Sequence, residues 1–307
     1  KFDTLRRFKT NTDSKSSFVT IQEGCDKFCT FCVVPYTRGS EYSRSISDII
    51  EEIKKLADQG VIEVTLLGQN VNAYHGIDES GKERSLSYLI NKISELDEIK
   101  RIAYSTSHPN NMTDDLIELH GTNTKLMSCL HLPVQSGSNK ILKLMNRKHT
   151  REFYFKIIEK LRKHKSNIAL SSDFIVGFPD EDDQDFADTI DLINQVGFMN
   201  SYSFKYSPRP GTPAADKKEL PVKVQDDRLK IMQTLLNRQE NNFNKNFLLK
   251  KVDVLISGLG KYEGQVKGKS EFNQSVAIVG NTNIIGNIVP VQITDISVHS
   301  LIGKAET

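Results

Sequence analysis

The stretch EGCDKFCTFCVVPYTRG, residues 23–39, determines how the rest of this sequence is interpreted. It places Cys25, Cys29 and Cys32 in a C-x3-C-x2-C spacing directly after a predicted strand. Three thiolates on one tight loop can bind three irons of a 4Fe-4S cluster and leave the fourth iron without a protein ligand. A structural zinc site would need a fourth Cys or His at short range, and the nearest histidine, His75, lies in another loop. We therefore interpret the three cysteines as ligands of one 4Fe-4S cluster.

An iron without a protein ligand suits S-adenosyl-L-methionine (SAM), which chelates such an iron through its amino and carboxylate groups. One electron from the cluster can then cleave SAM to a 5′-deoxyadenosyl radical. The alternative is that the three cysteines are unrelated core residues, and their position on one loop beyond a strand would then be coincidental. The fourth cysteine, Cys129, lies inside an apolar strand pattern, so we expect it to be buried and inert.

Beyond this loop, short β-branched segments alternate with amphipathic helical patterns from Phe18 to Phe204, which is typical of βα units around a parallel sheet. Six strands are predicted, at residues 18–21, 62–67, 101–105, 126–132, 168–176 and 200–206. Six units favour an α/β fold with a partial (βα)6 barrel over eight-fold closure. In such barrels the loops that follow the strands carry the chemistry.

The clearest helix follows the cysteine loop. Its apolar residues recur at helical spacing from Ile46 to Ala57, Ser45 can cap it and Gly60 can end it. Four further helices are predicted between the strands, at residues 86–96, 113–120, 151–165 and 182–196. A long polar helix is predicted from residue 222 to about residue 242.

After this helix the composition changes to short alternating stretches rich in Val, Ile and Gly, which predict a small antiparallel barrel, all-β and OB-like, from Val252 onward. Tyr262 and Phe272 could stack on bases beside lysines that contact phosphates. These lysines are Lys250, Lys251, Lys261, Lys267 and Lys269. The predicted domains are a linker over residues 1–16, a core over residues 11–241 and the small barrel over residues 244–306.

The chain of 307 residues has a formal net charge of only +2, so any contact with nucleic acid must come from a local basic patch. No apolar run approaches the roughly 20 residues that span a bilayer, and the first segment has no hydrophobic signal core. We therefore expect a cytoplasmic protein without membrane contact. Because the sequence opens on Lys1 and a linker-like stretch, we also expect a fragment of a longer chain.

Several strings at predicted strand ends resemble those of the radical SAM methylthiotransferase family. They are CVVPYTRG (32–39), LLGQNVNAY (66–74), HLPVQSGS (131–138) and SSDFIVGFPDE (171–181), with YSPRPGTPAA (206–215) as support. The first string is similar to that of the MiaB-type enzymes, which thiomethylate an isopentenylated adenosine in tRNA. The small barrel resembles a TRAM domain, and the resemblance covers nearly the whole chain.

The strand-end loops of these strings are the expected SAM cradle. Gly68 allows the backbone to approach a ligand closely. Neutral hydrogen-bonding groups suited to the methionyl end and the ribose come from Gln69, Asn70, Gln135 and Ser136. The alternative for each of these polar side chains is a satisfied loop cap.

Apolar and basic residues complete the expected site. Val176, in the IVGFP string, is predicted to form an apolar wall for adenine, and the resemblance implies that Phe31 packs against the same base. Arg38 and Arg209 could contact phosphate or the SAM carboxylate, the alternative being solvated surface arginines. For His131 we favour a neutral core histidine bonded to backbone over a catalytic group.

The resemblance implies a transferase that adds a methylthio group to C2 of N6-isopentenyladenosine next to the anticodon. Its implied partners are the tRNA anticodon loop and an electron donor such as flavodoxin or ferredoxin, and we expect a monomer. No catalytic residue is predicted beyond the cluster. Two alternatives remain open: a truncated, non-catalytic RNA-binding remnant, and a methylthiotransferase for threonylcarbamoyl-adenosine in tRNA.

Full-length relatives carry an N-terminal domain whose three cysteines bind a second cluster. This sequence has four cysteines, and only Cys129 remains after the first motif. We therefore expect one cluster in this chain and doubt that it completes methylthiolation by itself.

Overall fold

The computed structural model describes residues 15–297 and 300–305. The linker predicted over residues 1–16 therefore lies almost wholly outside the described residues. Within these two ranges, no helix combines the length and the apolar character needed to cross a membrane.

The elements follow the predicted alternation of strand and helix in the first two thirds of the chain. The strands are β1 Ser16–Thr20, β2 Gln22–Glu23, β3 Tyr42–Ser43, β4 Glu63–Leu67, β5 His75–Ile77, β6 Glu83–Ser85, β7 Arg101–Tyr104, β8 Cys129–His131, β9 Ala169–Val176, β10 Asn200–Lys205, β11 Lys251–Leu259, β12 Gln265–Ser270, β13 Ser275–Val279, β14 Ile288–Ile296 and β15 Leu301–Ala305. The α-helices are α1 Val34–Arg38, α2 Ile46–Asp58, α3 Leu86–Ser94, α4 Asp114–Thr122, α5 Asn139–Leu144, α6 Arg151–His164, α7 Asp183–Val196 and α8 Val222–Lys245.

Six parallel strands form the core. Three pair in the order β1-β4-β7 and three in the order β8-β9-β10. A parallel bridge between Ile102 and Leu126 connects β7 to the segment that leads into β8. Among the described residues no pairing joins β10 to β1, so the barrel is open on one side. The predicted partial (βα)6 barrel and its six strands are confirmed.

Side chains on these strands alternate between two environments, because a strand has a period of two. One set packs under the helices and is fully buried, as at Val19, Leu66 and Phe174. The other set faces the inside of the open barrel, which we call the lumen. Each core strand therefore supplies one set of side chains to the packing under the helices and another set to the lumen.

Helix α2 shows how the sequence sets this packing. The hydroxyl of Ser45 accepts a hydrogen bond from the amide of Asp48 at 3.2 Å, as the predicted cap requires. Ile49 and Ile53 are fully buried against the sheet. Burial of each such side chain stabilises the fold by roughly 1.5–3 kcal/mol.

The C-terminal tail is a closed barrel with strand order β11-β12-β13-β15-β14. The predicted small all-β barrel is confirmed, but its antiparallel order fails at one pair, since β13 and β15 run parallel. A closed ring with an odd number of strands cannot alternate direction at every step, so five strands require at least one parallel pair.

The tail packs against the end of the core barrel where the strands begin. Buried Arg101 donates to the backbone carbonyls of Lys269 and Asp253 at 2.9 and 2.8 Å. The Ser128 hydroxyl donates to the Glu271 carboxylate at 2.6 Å. The β12–β13 turn thus forms a floor beneath the lumen.

Candidate active site

The cysteine loop leaves β2 through a turn that only glycine fits. Gly24 has a φ of +76°, and a Cβ there would lie 2.1 Å from the Ser40 carbonyl oxygen. The amide of Cys25 donates to Gly39 O at 3.2 Å, and that of Cys32 donates to Cys29 O at 3.0 Å. These bonds close the loop into the tight shape that the motif predicts.

The segment after α5 forms a second wall that the sequence interpretation missed. The Asn146 side-chain amide donates to the Phe28 carbonyl at 2.8 Å. Buried Arg147 donates through Nη1 to the sulfur of Cys29 at 3.7 Å, and through Nη2 to the Pro133 carbonyl at 2.5 Å. The only signal for this contact was the string MNRKHT after a predicted helix, which carries no recognisable ligand spacing.

The thiols of Cys25 and Cys32 sit in an environment that resists ionisation. Burial raises the pKa of Cys25 to about 11, and it also raises the pKa of Cys32. A cation that binds sulfur would offset this cost, because thiolates ligate metal only after losing their protons. No three His, Cys, Asp or Glu side chains in the described ranges are arranged to share one metal ion. A four-iron cluster instead spreads its thiolates over separate irons, which this donor set fits.

The loop after β4 supports the cysteine loop from the side. The side-chain oxygen of Gln69 accepts a hydrogen bond from the amide of Gly24 at 2.7 Å. Buried Asn70 donates to Glu41 at 2.9 Å, and its Oδ1 has no hydrogen-bond partner among the described residues. At Gly68 a Cβ would lie 2.5 Å from Gln22 Oε1, so a larger residue there would displace the buried Gln22 side chain.

The residues predicted after β8 and at the end of β9 differ in burial: Gln135 is partly exposed, whereas Ser136 and Val176 are fully buried. Gln135 has a φ of +75° and is half-buried next to β9, where its amide donates to Asp173 O at 2.9 Å. Ser136 is fully buried, and its hydroxyl pairs with Thr189 at 3.2 Å, so it braces the loop. Val176 is fully buried under the helices. Because side chains alternate along a strand, the neighbouring residue Ile175 occupies the apolar wall position that was expected for Val176.

Phe31 is half-buried and packs in an apolar cluster that includes Ile175, Phe178 and Tyr206. Arg38, at the end of α1, and Arg209, before the Thr212 turn, are both exposed. The structure therefore places Phe31 and Ile175 against the same apolar cluster and leaves both arginine side chains at the surface.

The polar contacts of His131 inside the lumen differ from those predicted from the sequence. His131 was expected to bond to backbone, but its Nδ1 lies 2.9 Å from the Ser171 hydroxyl and its Nε2 lies 3.4 Å from Asp173 Oδ2. Cys129 was expected to be fully buried and is partly exposed on a cavity of about 300 Å³. Burial still raises the pKa of the Cys129 thiol to about 12, which keeps it protonated at neutral pH.

The chain matches two protein-family models. The one described as the Radical SAM superfamily matches residues 19–193, and the one described as the TRAM domain matches residues 248–305. The first match covers most of the core barrel, and the second covers all five strands of the closed barrel.

Similar curated proteins share one name. The tRNA-2-methylthio-N(6)-dimethylallyladenosine synthase of Orientia tsutsugamushi (strain Boryong) is 55% identical over 291 residues, which covers 94% of this chain and 65% of the relative. The protein of the same name from Rickettsia bellii (strain RML369-C) is 50% identical over 306 residues, which covers 99% of this chain and 68% of the relative. The chain thus spans just under two thirds of the Orientia relative's length.

Solved structures show the same core fold at low sequence identity. The radical S-adenosylmethionine methyltransferase TsrM from Kitasatospora setae, with cobalamin and a 4Fe-4S cluster bound, aligns with a TM-score of 0.53 at 15% identity, over 69% of this chain and 40% of that one. Streptococcus suis SuiB bound to S-adenosylmethionine aligns with a TM-score of 0.52 at 14% identity, over 77% of this chain and 51% of that one.

Proposed function

Because the chain belongs to the radical SAM superfamily and, within it, to the family of tRNA-2-methylthio-N(6)-dimethylallyladenosine synthases, we propose that it acts in the methylthiolation of tRNA. The reaction adds a methylthio group to C2 of N6-isopentenyladenosine next to the anticodon. The observation that carries this proposal is identity of 50% or more over nearly the whole chain, combined with three thiols on one loop beside the lumen.

Cys25, Cys29 and Cys32 are the residues that would hold a 4Fe-4S cluster, with SAM on its fourth iron. When bound, the two groups supply a 5′-deoxyadenosyl radical that can abstract hydrogen from a substrate. Arg147 places a positive charge beside the Cys29 sulfur. Phe31 offers an apolar surface to the adenine of SAM.

The remaining proposed contacts with SAM come from the loops after β4 and β8. Gln69 holds the cysteine loop through Gly24, while the unpartnered Oδ1 of Asn70 can accept a hydrogen bond from a ligand. Gly68 and Gln135 bring backbone to the same edge. Arg38 and Arg209, exposed at this end of the barrel, are proposed contacts for RNA phosphates.

The tail is proposed to bind the RNA. Tyr262 is 67% exposed and lies beneath the ammonium group of Lys261, at 5.6 Å from Nζ to the ring centre. Phe272 was expected to stack on bases, but it is only 3% exposed and packs against Phe243 and Phe247. Exposed lysines and one aromatic ring therefore form the RNA-contacting face.

The anticodon loop of tRNA is the proposed substrate, with a one-electron donor such as flavodoxin or ferredoxin as the second partner. We propose that the protein works as a monomer in the cytoplasm. A target base must leave its stack to reach the lumen, which suits an unpaired loop nucleotide.

Anaerobic reconstitution with iron, sulfide, SAM and a reductant tests the proposal. The chain should release 5′-deoxyadenosine, while Cys29→Ala should not and Cys129→Ala should. Absence of 5′-deoxyadenosine from the loaded chain would favour the alternative of a non-catalytic RNA-binding remnant.

Mass spectrometry of tRNA from a deletion strain tests the nucleoside. Loss of the methylthio group from isopentenyladenosine supports the proposal. Loss from threonylcarbamoyl-adenosine would assign the chain to the other nucleoside and overturn the stated substrate.

A further inference from the structure

The cysteine loop carries an exposed pair of aromatic rings directly before a proposed cluster ligand. Phe28, the residue before Cys29, is 50% exposed, and Tyr36 on α1 is 57% exposed. Their rings meet edge to face, with 6.1 Å between the ring centres. Phe31, three residues after Phe28, instead packs in the apolar cluster with Ile175. The loop therefore presents one ring to the interior and a pair of rings to solvent.

The backbone around Phe28 holds this ring in its exposed position. Phe28 has a φ of +47°, and Asn146, whose side-chain amide donates to the Phe28 carbonyl at 2.8 Å, has a φ of +60°. Residues other than glycine adopt this left-handed region at an energetic cost, so they need support from their surroundings. Thr30 provides support by donating to the carbonyls of Leu144 and Met145 at 2.9 and 3.1 Å. The end of α5 and the residues after it are thereby fixed against the cysteine loop.

The segment that is fixed against the cysteine loop is basic. Residues 139–150 include Lys140, Lys143, Arg147 and Lys148 and no acidic residue. Lys140 is paired with two aspartates and Arg147 is buried beside a cysteine sulfur, whereas Lys143 and Lys148 are exposed. The aromatic pair and two exposed lysines thus lie on segments that are bonded to each other.

The acidic side chains of the cysteine loop are held by backbone amides. Glu41 accepts from the amide of Asp26 at 3.4 Å, and Asp26 accepts from the amide of Glu41 at 3.3 Å. Glu41 also accepts from the side chain of buried Asn70 at 2.9 Å. Amide donors offset part of the negative charge of these carboxylates, so we expect Lys143 and Lys148 to set the charge that a partner meets.

Resting on the function proposed above, we propose that Phe28, Tyr36, Lys143 and Lys148, which we call the docking patch, bind the protein that delivers the electron. That partner is a small acidic one-electron carrier of the flavodoxin or ferredoxin class. In each encounter the carrier is oxidised by one electron and the cluster held by the three cysteines is reduced by one. No bond forms between the two proteins.

The position of the docking patch favours this partner over RNA. SAM and the target base are proposed to occupy the lumen side of the cysteine loop, so the electron must enter from another side. Electron transfer between proteins slows steeply as the distance between the redox centres increases, and Phe28 lies one residue from the ligand Cys29. Encounters between electron-transfer proteins bury little surface and are guided by complementary charge, which suits two rings and two lysines.

Calorimetric titration of the full, cluster-loaded chain with oxidised flavodoxin, an acidic carrier, measures docking without turnover. Lys143→Glu combined with Lys148→Glu should weaken binding about tenfold at low ionic strength. Added salt should reduce this difference, because it screens the charges. Lys156→Glu combined with Lys230→Glu reverses two exposed lysines on α6 and α8. This matched control should bind flavodoxin as the unaltered chain does.

The aromatic part of the docking patch has its own variants. Tyr36→Ala should weaken flavodoxin binding by about fivefold, and Tyr36→Phe should retain it, since the ring supplies the contact. Ile231→Ala, exposed on α8, is the apolar control. The rate of cluster reduction by reduced flavodoxin should fall in parallel with binding. Reduction by dithionite, which needs no docking surface, should be unchanged in every variant, and iron content and circular dichroism establish that each is loaded and folded.

Three outcomes would overturn this inference. The first is that the unaltered chain binds neither flavodoxin nor ferredoxin, and the second is that the charge-reversed and Tyr36→Ala variants bind flavodoxin as tightly as the unaltered chain. The third is that these variants lose tRNA binding and keep flavodoxin binding, which would assign the docking patch to RNA. None of the three affects the proposed function, which fails instead if the loaded chain releases no 5′-deoxyadenosine with dithionite as reductant.

Discussion

The guanidinium of Arg147 donates a hydrogen bond to the sulfur of Cys29, with 3.7 Å between Nη1 and Sγ. The same side chain is 6% exposed and is held by the Pro133 carbonyl. A buried cation therefore lies beside one proposed cluster ligand. Positive charge and hydrogen bonds to sulfur favour the reduced state of an iron–sulfur cluster.

Arg147→Met should accordingly lower the reduction potential of the cluster, by on the order of tens of millivolts. Arg147→Lys should have a smaller effect, because it keeps the charge but loses the planar fork. Redox titration followed by electron paramagnetic resonance measures both. Lys148→Met removes the same charge from the exposed neighbouring position and is the control. An unchanged potential in Arg147→Met with full iron content would show that the charge does not influence the cluster.

Iron stoichiometry follows from the position of the four cysteines. The reconstituted chain should contain about four irons, the content of one cluster. Cys25→Ala, Cys29→Ala or Cys32→Ala should each remove most of this iron. Cys129→Ala should retain it, because that thiol lies on the lumen cavity. Iron near eight per chain, or a normal iron content in Cys29→Ala, would contradict this assignment.

Arg101, which bonds to the tail, also forms a buried ion pair with Glu63 inside the core barrel. Its guanidinium lies 3.8 Å from Glu63, and both side chains are 7% exposed. Arg101→Met should destabilise the protein by about 3–5 kcal/mol, because it leaves a buried carboxylate without its counter-charge. Arg101→Met combined with Glu63→Met should cost less than the single change. Urea unfolding measures both, with the exposed Lys55→Met as a control expected to cost at most about 0.5 kcal/mol.

The same variant should show a distinctive pH dependence. Burial already raises the pKa of Glu63, and loss of Arg101 raises it further. A raised pKa means that the folded state binds more protons than the unfolded state, so stability decreases as pH rises through that range. The cost of Arg101→Met should thus be smaller at pH 5 than at pH 8. An equal cost at both values would argue against an uncompensated carboxylate.

His120 should contribute to the acid response together with His108 and His149, whose pKa values burial also lowers. Burial lowers its pKa to about 3, and its Nε2 bonds to the Tyr104 hydroxyl at 2.7 Å. Because the unfolded pKa is about 6.5, the unfolded state binds more protons below that pH and stability decreases as pH falls toward 3. His120→Leu should reduce the slope of unfolding free energy against pH by about 1.4 kcal/mol per unit near pH 5. Tyr104→Phe should lower stability and keep the slope.

The barrel was predictable because its signals are local. Ile46 to Ala57 repeat at helical spacing, and the six apolar strands are separated by helices, so period and order specify the architecture. The tail strands were also recognisable, but the parallel pairing of β13 with β15 depends on which ends meet in space.

In the candidate site, the sequence predicted the tight loop that carries Cys25, Cys29 and Cys32, because chemistry and spacing coincide there. Arg147 and Cys29 lie on two loops that are far apart in the sequence, and the residues next to Arg147 in the sequence do not indicate their contact. Ser136 and Val176 lie in the expected loops, but the side that each one faces is set by tertiary packing. The role of Phe272 was predicted wrongly because its ring is buried in the contact between the tail and the core barrel.

The floor that the tail provides for the lumen has a geometrical consequence. Arg101, Ser128 and the Phe272 contacts fix the small barrel to the core barrel. If the tail binds RNA as proposed, the RNA on the exposed face of Lys261 and Tyr262 would be held at a set distance from the lumen. On the proposed function, the tail would set how far along the RNA the presented nucleotide lies, so that its position would select it as well as its base.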